Sequence, residues 1–334
     1  MDVHRFELTA SPHIKGPDST PRIMWSVVAT LVPVVGAAIY WFGPSAALVI
    51  TTATVGCVVT ERLFGPGGTL RDGSAAITGV LLGLTLPPGI PLWMAFVGGF
   101  IAIGLGKLVF GGLGQNVFNP ALLGRALLQA AFPDDMTTWP AAVEHWWQLR
   151  GDNFALPLTS ADPTVALTGA TPLGQMKFEQ IPTEAVDLFM GATSGSTGET
   201  AAVVILAGGI YLAVKKYLNW RIPISILLTV AVLSQVAHFV DPDRYPGALF
   251  MLFSGGLMLG AWYMATDMVT SPTTNHGCWI FGAGIGAMAV LIRLWGGLPE
   301  GVMYSILFMN ALVPFINRAT QPRVFGTGEE VVAS

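Results

Sequence analysis

Ten apolar stretches, at approximately 23–42, 44–60, 73–86, 92–110, 116–132, 199–214, 222–240, 246–265, 277–294 and 301–316, follow one another along this 334-residue chain. A chain of this kind has few folding options. Hydrocarbon offers no water to backbone groups, so only helices and closed barrels can cross it. No convincing strand pattern accompanies the stretches, and the reading is an all-α polytopic membrane protein of about ten spans. Charged residues make up only 11%, against roughly 25% in soluble domains. A full crossing takes roughly 20 residues. The third and fifth stretches are therefore too short or too interrupted to be plain helices.

The long polar stretch 133–198 divides the chain. The expected organisation is an arm at 1–22, a first five-span repeat at 23–132, an external loop at 133–198, a second repeat at 199–316 and a tail at 317–334. With the N-terminal arm in the cytoplasm, eleven Lys and Arg fall on the inner side, Lys107 among them, and four on the outer, Arg293 among them. That is a positive-inside bias. Five spans on each side of the loop give the halves opposite orientations, an inverted five-plus-five arrangement. "GSAAITGVLLG" (73–83) echoes "GETAAVVILAGG" (198–209), and "AFVGGFIAIG" (95–104) echoes "LFSGGLMLG" (252–260). Inverted repeats with broken helices often hold their sites at the repeat interface.

"GGLGQNVFNPALLGRALLQAAF" (111–132) is the most informative apolar segment. Asn119 is a good N-cap and Pro120 suits the first helical position. A helix from Pro120 to Ala131 rises roughly 18 Å, too little for a core of about 30 Å. Gly111 to Asn119 then becomes irregular backbone at membrane depth, tolerated only where protein or a cavity surrounds it. Asn116 and Asn119 can donate and accept toward a polar ligand, or they can simply cap and cross-link helices. Arg125 reads as a packing charge paired with a carboxylate, although any intramembrane charge invites a functional reading.

Among the acids, Glu199 has the capping-box spacing after Ser196. Asp267 stands among Thr and Ser oxygens beside Pro272, which suits a hard cation, a proton carrier or plain turn chemistry. Asp72 reads as a helix N-terminal charge, and Glu61 as a solvated residue at the end of a span. Cys57 and Cys278 are far apart with no CxxC, so neither a disulfide framework nor an iron–sulfur cluster of this chain alone is expected. No basic cluster resembles a nucleic-acid footprint, and no nucleic-acid partner is expected.

Within the polar stretch lies "ALTGATPLG" (166–174). Thr168, Gly169 and Ala170 are small and leave the hydroxyl of Thr171 uncovered. "GAT" recurs at 191–193, making Thr193 the runner-up hydroxyl.

"SPHIKGPDSTPRIM" (11–24), "GQNVFNPALLGRALL" (114–128), "TGATPL" (168–173) and "GSTGET" (195–200) occur in that order. Together they resemble the family of membrane subunits that includes the D subunits of Rnf electron-transport complexes and, more distantly, the B subunits of sodium-translocating NADH:quinone oxidoreductases. The resemblance covers nearly the whole chain. It implies FMN joined by a phosphoester to Thr171 in Thr168-Gly169-Ala170-Thr171. A separate flavin transferase would attach it, using FAD and releasing AMP. Non-covalent riboflavin at Asn116, Asn119 and Pro120, and ion handling at Glu199 and Asp267, are implied in the same way. So are other Rnf-type subunits as partners, a second FMN carrier and iron–sulfur subunits among them. The setting it implies is a bacterial inner membrane, with both termini cytoplasmic and the flavin loop periplasmic or external. The expected function is a flavin-carrying subunit of a complex coupling electron transfer between ferredoxin and NAD to sodium or proton translocation. The competing reading is a small-solute channel or transporter, since architecture alone does not fix function.

Overall fold

The computed structural model describes residues 18–66, 69–140, 147, 149, 151–157, 170–191, 193–198, 202–242 and 244–322. Its elements are all helical. The first half holds α1 (Thr20–Phe42), α2 (Pro44–Phe64), α3 (Ser74–Thr85), α4 (Leu92–Ile103) and α5 (Pro120–Ala131). The connecting region carries the short helices α6 (Pro133–Thr137), α7 (Pro172–Gly174) and α8 (Ala185–Met190). The second half holds α9 (Ala202–Val214), α10 (Arg221–Val240), α11 (Ala248–Phe253), α12 (Leu257–Leu259), α13 (Asn275–Trp295) and α14 (Val302–Thr320). Among the described residues α1, α2, α10, α13 and α14 are long and apolar enough to cross a membrane. This is a membrane protein.

Close packing comes from glycines at four-residue spacing in each half. Gly79 and Gly83 set α3 against α2, and Gly282 and Gly286 set α13 against α10. A Cβ on Gly83 would stand 2.6 Å from Ile50 Cα, and one on Gly286 2.8 Å from Thr229 Cβ. Without a hydrophobic drive between helices in lipid, such backbone approach supplies the association. Gly83→Leu or Gly286→Leu should therefore lower stability by about 1–3 kcal/mol through overpacking. A thermal melt of the detergent-solubilised protein reads this directly.

The short helices end inside the bundle, and their buried ends are answered by distant parts of the chain. The α3 C-terminus meets Thr197, whose hydroxyl donates to Gly83 O (2.6 Å) and Leu86 O (3.2 Å). Gly198 N donates to Leu84 O (2.7 Å). These bonds satisfy carbonyls that the helix itself leaves open. α5 starts at Asn119–Pro120 and runs to Ala131, as the sequence predicts. Asn119 Oδ1 accepts from Ala121 N (3.0 Å) and Leu122 N (3.3 Å), and its Nδ2 donates to Met264 O (3.0 Å). Asn310 on α14 completes the junction. Its amide donates to Thr270 O (3.2 Å) and accepts from the Asn119 N–H (3.1 Å).

Three expectations are corrected. The eighth stretch is not one helix. It breaks at Ser254–Gly256, with Gly255 at φ 65°. Arg293 donates across the break to Met251 O (2.7 Å) and Ser254 O (2.9 Å), and Gly256 N donates to Glu300 Oε1. Arg293, counted among the outer-side charges, is thus buried and occupied by these carbonyls.

Glu61 is not solvated. It is 1% exposed, and its Oε1 accepts from Lys107 Nζ at 2.7 Å. Lys107, expected on the inner surface, is instead 2% exposed. α4 continues into a π-helical turn, Gly104–Leu108, whose extra residue per turn aims Lys107 inward. Lys107 also donates to Ser74 Oγ (2.6 Å), which in turn donates to Asp72 Oδ1 (2.6 Å). Asp72 caps α3 through Ser74 N (2.8 Å), in keeping with its expected place at a helix N-terminus.

The polar stretch is more than a loop. Asn153 within it is 2% exposed and donates to Pro88 O (3.0 Å) and Ile90 O (2.9 Å), fastening the stretch to the α3–α4 turn.

Candidate functional site

Thr171 is half-buried and caps α7, its Oγ1 accepting from Gly174 N at 3.1 Å. That bond uses an oxygen lone pair and leaves the hydroxyl proton free to donate. Pro172 follows at the first helical position and fixes the turn. Ala170 beside it is exposed. Thr168 and Gly169 lie outside the described residues, as does Glu199. Thr193 is half-buried and does not line the cavity described next.

Thr171 opens onto a cavity of about 400 Å³, within the range of roughly 300–1,000 Å³ typical of small-molecule sites. Trp139, Ala170, Gly174, Phe178, Pro299 and Met303 line it. Arg125 from α5 and Glu300 from the α13–α14 connection line it too, Nη2 to Oε2 at 3.6 Å. Arg125 therefore has the carboxylate partner that the sequence called for. Which acid it would be was not legible, because Glu300 is 175 residues away.

A strap holds the Thr171 segment in place. After α7 the chain makes a π-helical turn, Gln175–Glu179. From it Lys177 Nζ donates to Ile292 O (3.2 Å), Gly296 O (2.6 Å) and Leu298 O (2.9 Å) at the C-terminus of α13. A cation there also complements the helix dipole. Desolvation lowers the Lys177 pKa from the usual lysine value, and the ammonium form is the one that donates three bonds at once. Lys177→Met should free the segment and speed hydrogen exchange of the Gly174 amide about tenfold or more, given the 1.5–3 kcal/mol typical of charged hydrogen bonds. Exchange read by mass spectrometry tests this, with unchanged protection as the contrary result.

A second cavity lies toward the N-terminal end of α5. It brings together Asn116, Asn119, Pro120 and Asp267 with Lys107 and Tyr217, walled by Trp262 and Tyr263. The sequence-predicted residues of this group thus share one space. Asn119 is committed to capping and to Met264 O. Asn116 donates to Phe118 O (3.3 Å). Asp267 Oδ1 accepts from Val269 N (3.2 Å) and Oδ2 from the Thr270 hydroxyl (3.2 Å), which is turn chemistry. Among the described residues no three His, Cys, Asp or Glu side chains gather as a metal site. Lys107, Tyr217 and Trp262 carried no sequence signal for this cavity, since each arrives from a different helix or helix end.

The sequence matches the NQR2, RnfD, RnfE family over residues 7–326. It is 42% identical to the D subunit of the proton-translocating ferredoxin:NAD(+) oxidoreductase complex of Clostridium ljungdahlii, over 96% of each chain. It is 39% identical to the D subunit of the Na(+)-translocating ferredoxin:NAD(+) oxidoreductase complex of Acetobacterium woodii, over 98% of this chain and 97% of that one. The D subunit of the ion-translocating oxidoreductase complex of Stutzerimonas stutzeri is 42% identical, over 95% and 96% respectively. With its apolar bundle, its broken helices and full-length identity to these relatives, the chain belongs to the NQR2, RnfD, RnfE family.

Proposed function

We propose that this chain is the flavin-carrying membrane subunit of an Rnf-type complex, which couples electron transfer between ferredoxin and NAD to sodium or proton translocation. The observation that carries the reading is the Thr171 hydroxyl, held by its cap and by the Lys177 strap at the mouth of a cavity large enough for a flavin. Family membership supports the same reading, as do relatives named as subunits of ferredoxin:NAD(+) oxidoreductase complexes.

A flavin bound there would exchange electrons with neighbouring carriers. The chain's own residues would do the positioning. Thr171 would bear FMN through a phosphoester, after transfer from FAD by a flavin transferase. Trp139 and Phe178 would flank the ring system, and Lys177 would keep the segment fixed. Riboflavin would be held at Asn116, Asn119 and Pro120, which requires the second cavity, about 110 Å³ as it stands, to open around it. Asn116→Leu should then lower the riboflavin content of the purified complex. The chain would make ten passes in an inverted five-plus-five arrangement, with both termini cytoplasmic and Thr171 on the external side of the inner membrane. Iron–sulfur subunits and a second FMN carrier would complete the electron path.

Trypsin separates the two candidate acceptors. Thr171 falls in the peptide 151–177 and Thr193 in the peptide 178–215. Mass spectrometry should find the mass of FMN less one water on the first peptide, with fragmentation placing it on residue 171. The same mass on the second peptide only, or on neither in active complex, would reject the reading.

A further inference from the structure

Arg125 has capacity that helix packing does not use. Its side chain is 9% exposed, yet it reaches Glu300 only at 3.6 Å, longer than a charge-assisted hydrogen bond. Its Nε is buried with no hydrogen-bond partner. Glu300 has its own tie, with Oε1 accepting from Gly256 N and Arg293 Nη2 standing at an ion-pair distance of 4.0 Å. Arg293 itself spends two donors on the α11 break. Arg125 and Glu300 both line the Thr171 cavity, while Arg293 backs Glu300 from outside it. The other charged residue among those described in the lining is Glu179, which is exposed.

Resting on the flavin reading of Thr171, the geometry points to Arg125 as the anion-binding residue of this cavity, holding the phosphate through which a group is esterified to Thr171. A phosphodiester brings one negative charge, which the Arg125 guanidinium can meet at hydrogen-bond distance where Glu300 does not. Its two non-bridging oxygens match the planar guanidinium fork, which a lysine ammonium does not reproduce. Glu300 is the competing anion. It keeps Arg125 aimed at the cavity and weakens its hold on any entering phosphate.

The test uses the purified complex carrying Thr171→Ala, which lacks the ester acceptor, and titrates it with free FMN and with riboflavin, which has no phosphate. FMN should bind about tenfold or more tightly than riboflavin, as a charge-assisted contact to the phosphate requires. Adding Arg125→Gln should erase that preference, and adding Glu300→Gln should enlarge it. A purely structural ion pair predicts that both changes act alike. Equal binding of the two flavins in the Thr171→Ala complex, or an unchanged preference after Arg125→Gln, overturns the proposal. Should Arg125→Gln prevent assembly, Arg125→Lys gives the same reading, weakening FMN and leaving riboflavin unaffected. Covalent flavin persisting in Thr171→Ala would reject Thr171 as acceptor, while the Arg125-dependent phosphate preference is read separately.

Discussion

Replacing Thr171 with alanine should remove all covalently held flavin fluorescence from this chain on a denaturing gel, while Thr171→Ser retains part of it. Serine keeps the nucleophilic oxygen and the cap and loses only the methyl group. Alanine removes both functions of the oxygen, but losing the cap costs only about 0.5–2 kcal/mol. That is too little to unfold a bundle anchored by the long-range junctions at Asn119, Thr197, Arg293 and Glu300. Loss of fluorescence in an assembled complex would therefore report chemistry and not misfolding. Size-exclusion chromatography run beside the gel separates the two. Undiminished fluorescence in the alanine variant, or its loss in Thr193→Ala, would point to another acceptor.

Lys107→Met should lower the stability of the solubilised protein by about 3–5 kcal/mol, because it strands a buried carboxylate. Glu61 is 1% exposed and its Oε2 already has no hydrogen-bond partner, so Lys107 is what compensates its charge. Adding Glu61→Gln to Lys107→Met should recover much of the loss, since the unpaired charge is then gone. Denaturant unfolding of wild type, both single variants and the double variant gives the coupling directly. Additive losses would mean that the two side chains do not meet.

The sequence made local junctions legible and long-range ones not. Asn119–Pro120 announces the start of α5 because capping and proline chemistry act within a few residues. Thr171 stands out because its small neighbours are contiguous. Glu61 and Lys107, by contrast, are 46 residues apart, and nothing local marks the π turn that joins them. Asn310 met the same obstacle, since it lies within α14, far along the chain from the Asn119 it joins. The Gly-Gly pairs of the echoed segments 95–104 and 252–260 show how a single pattern yields two structures. Gly98-Gly99 stays helical because a Cβ at Gly99 would lie 2.5 Å from Ala53 O, so small size serves packing. Gly255-Gly256 breaks the helix because Gly255 adopts φ 65°, and Arg293 and Glu300 supply the hydrogen bonds that the break requires. Those partners come from α13 and beyond, where no local reading reaches.

The two cavities approach each other along α5. One reaches Ala121 and the other Arg125, a separation of about 6 Å of helix rise in a membrane whose hydrocarbon core is about 30 Å thick. Between them lies a single turn of α5, in which Leu122 and Gly124 are buried. One rigid element therefore borders both spaces, and a shift of that helix would be felt in each.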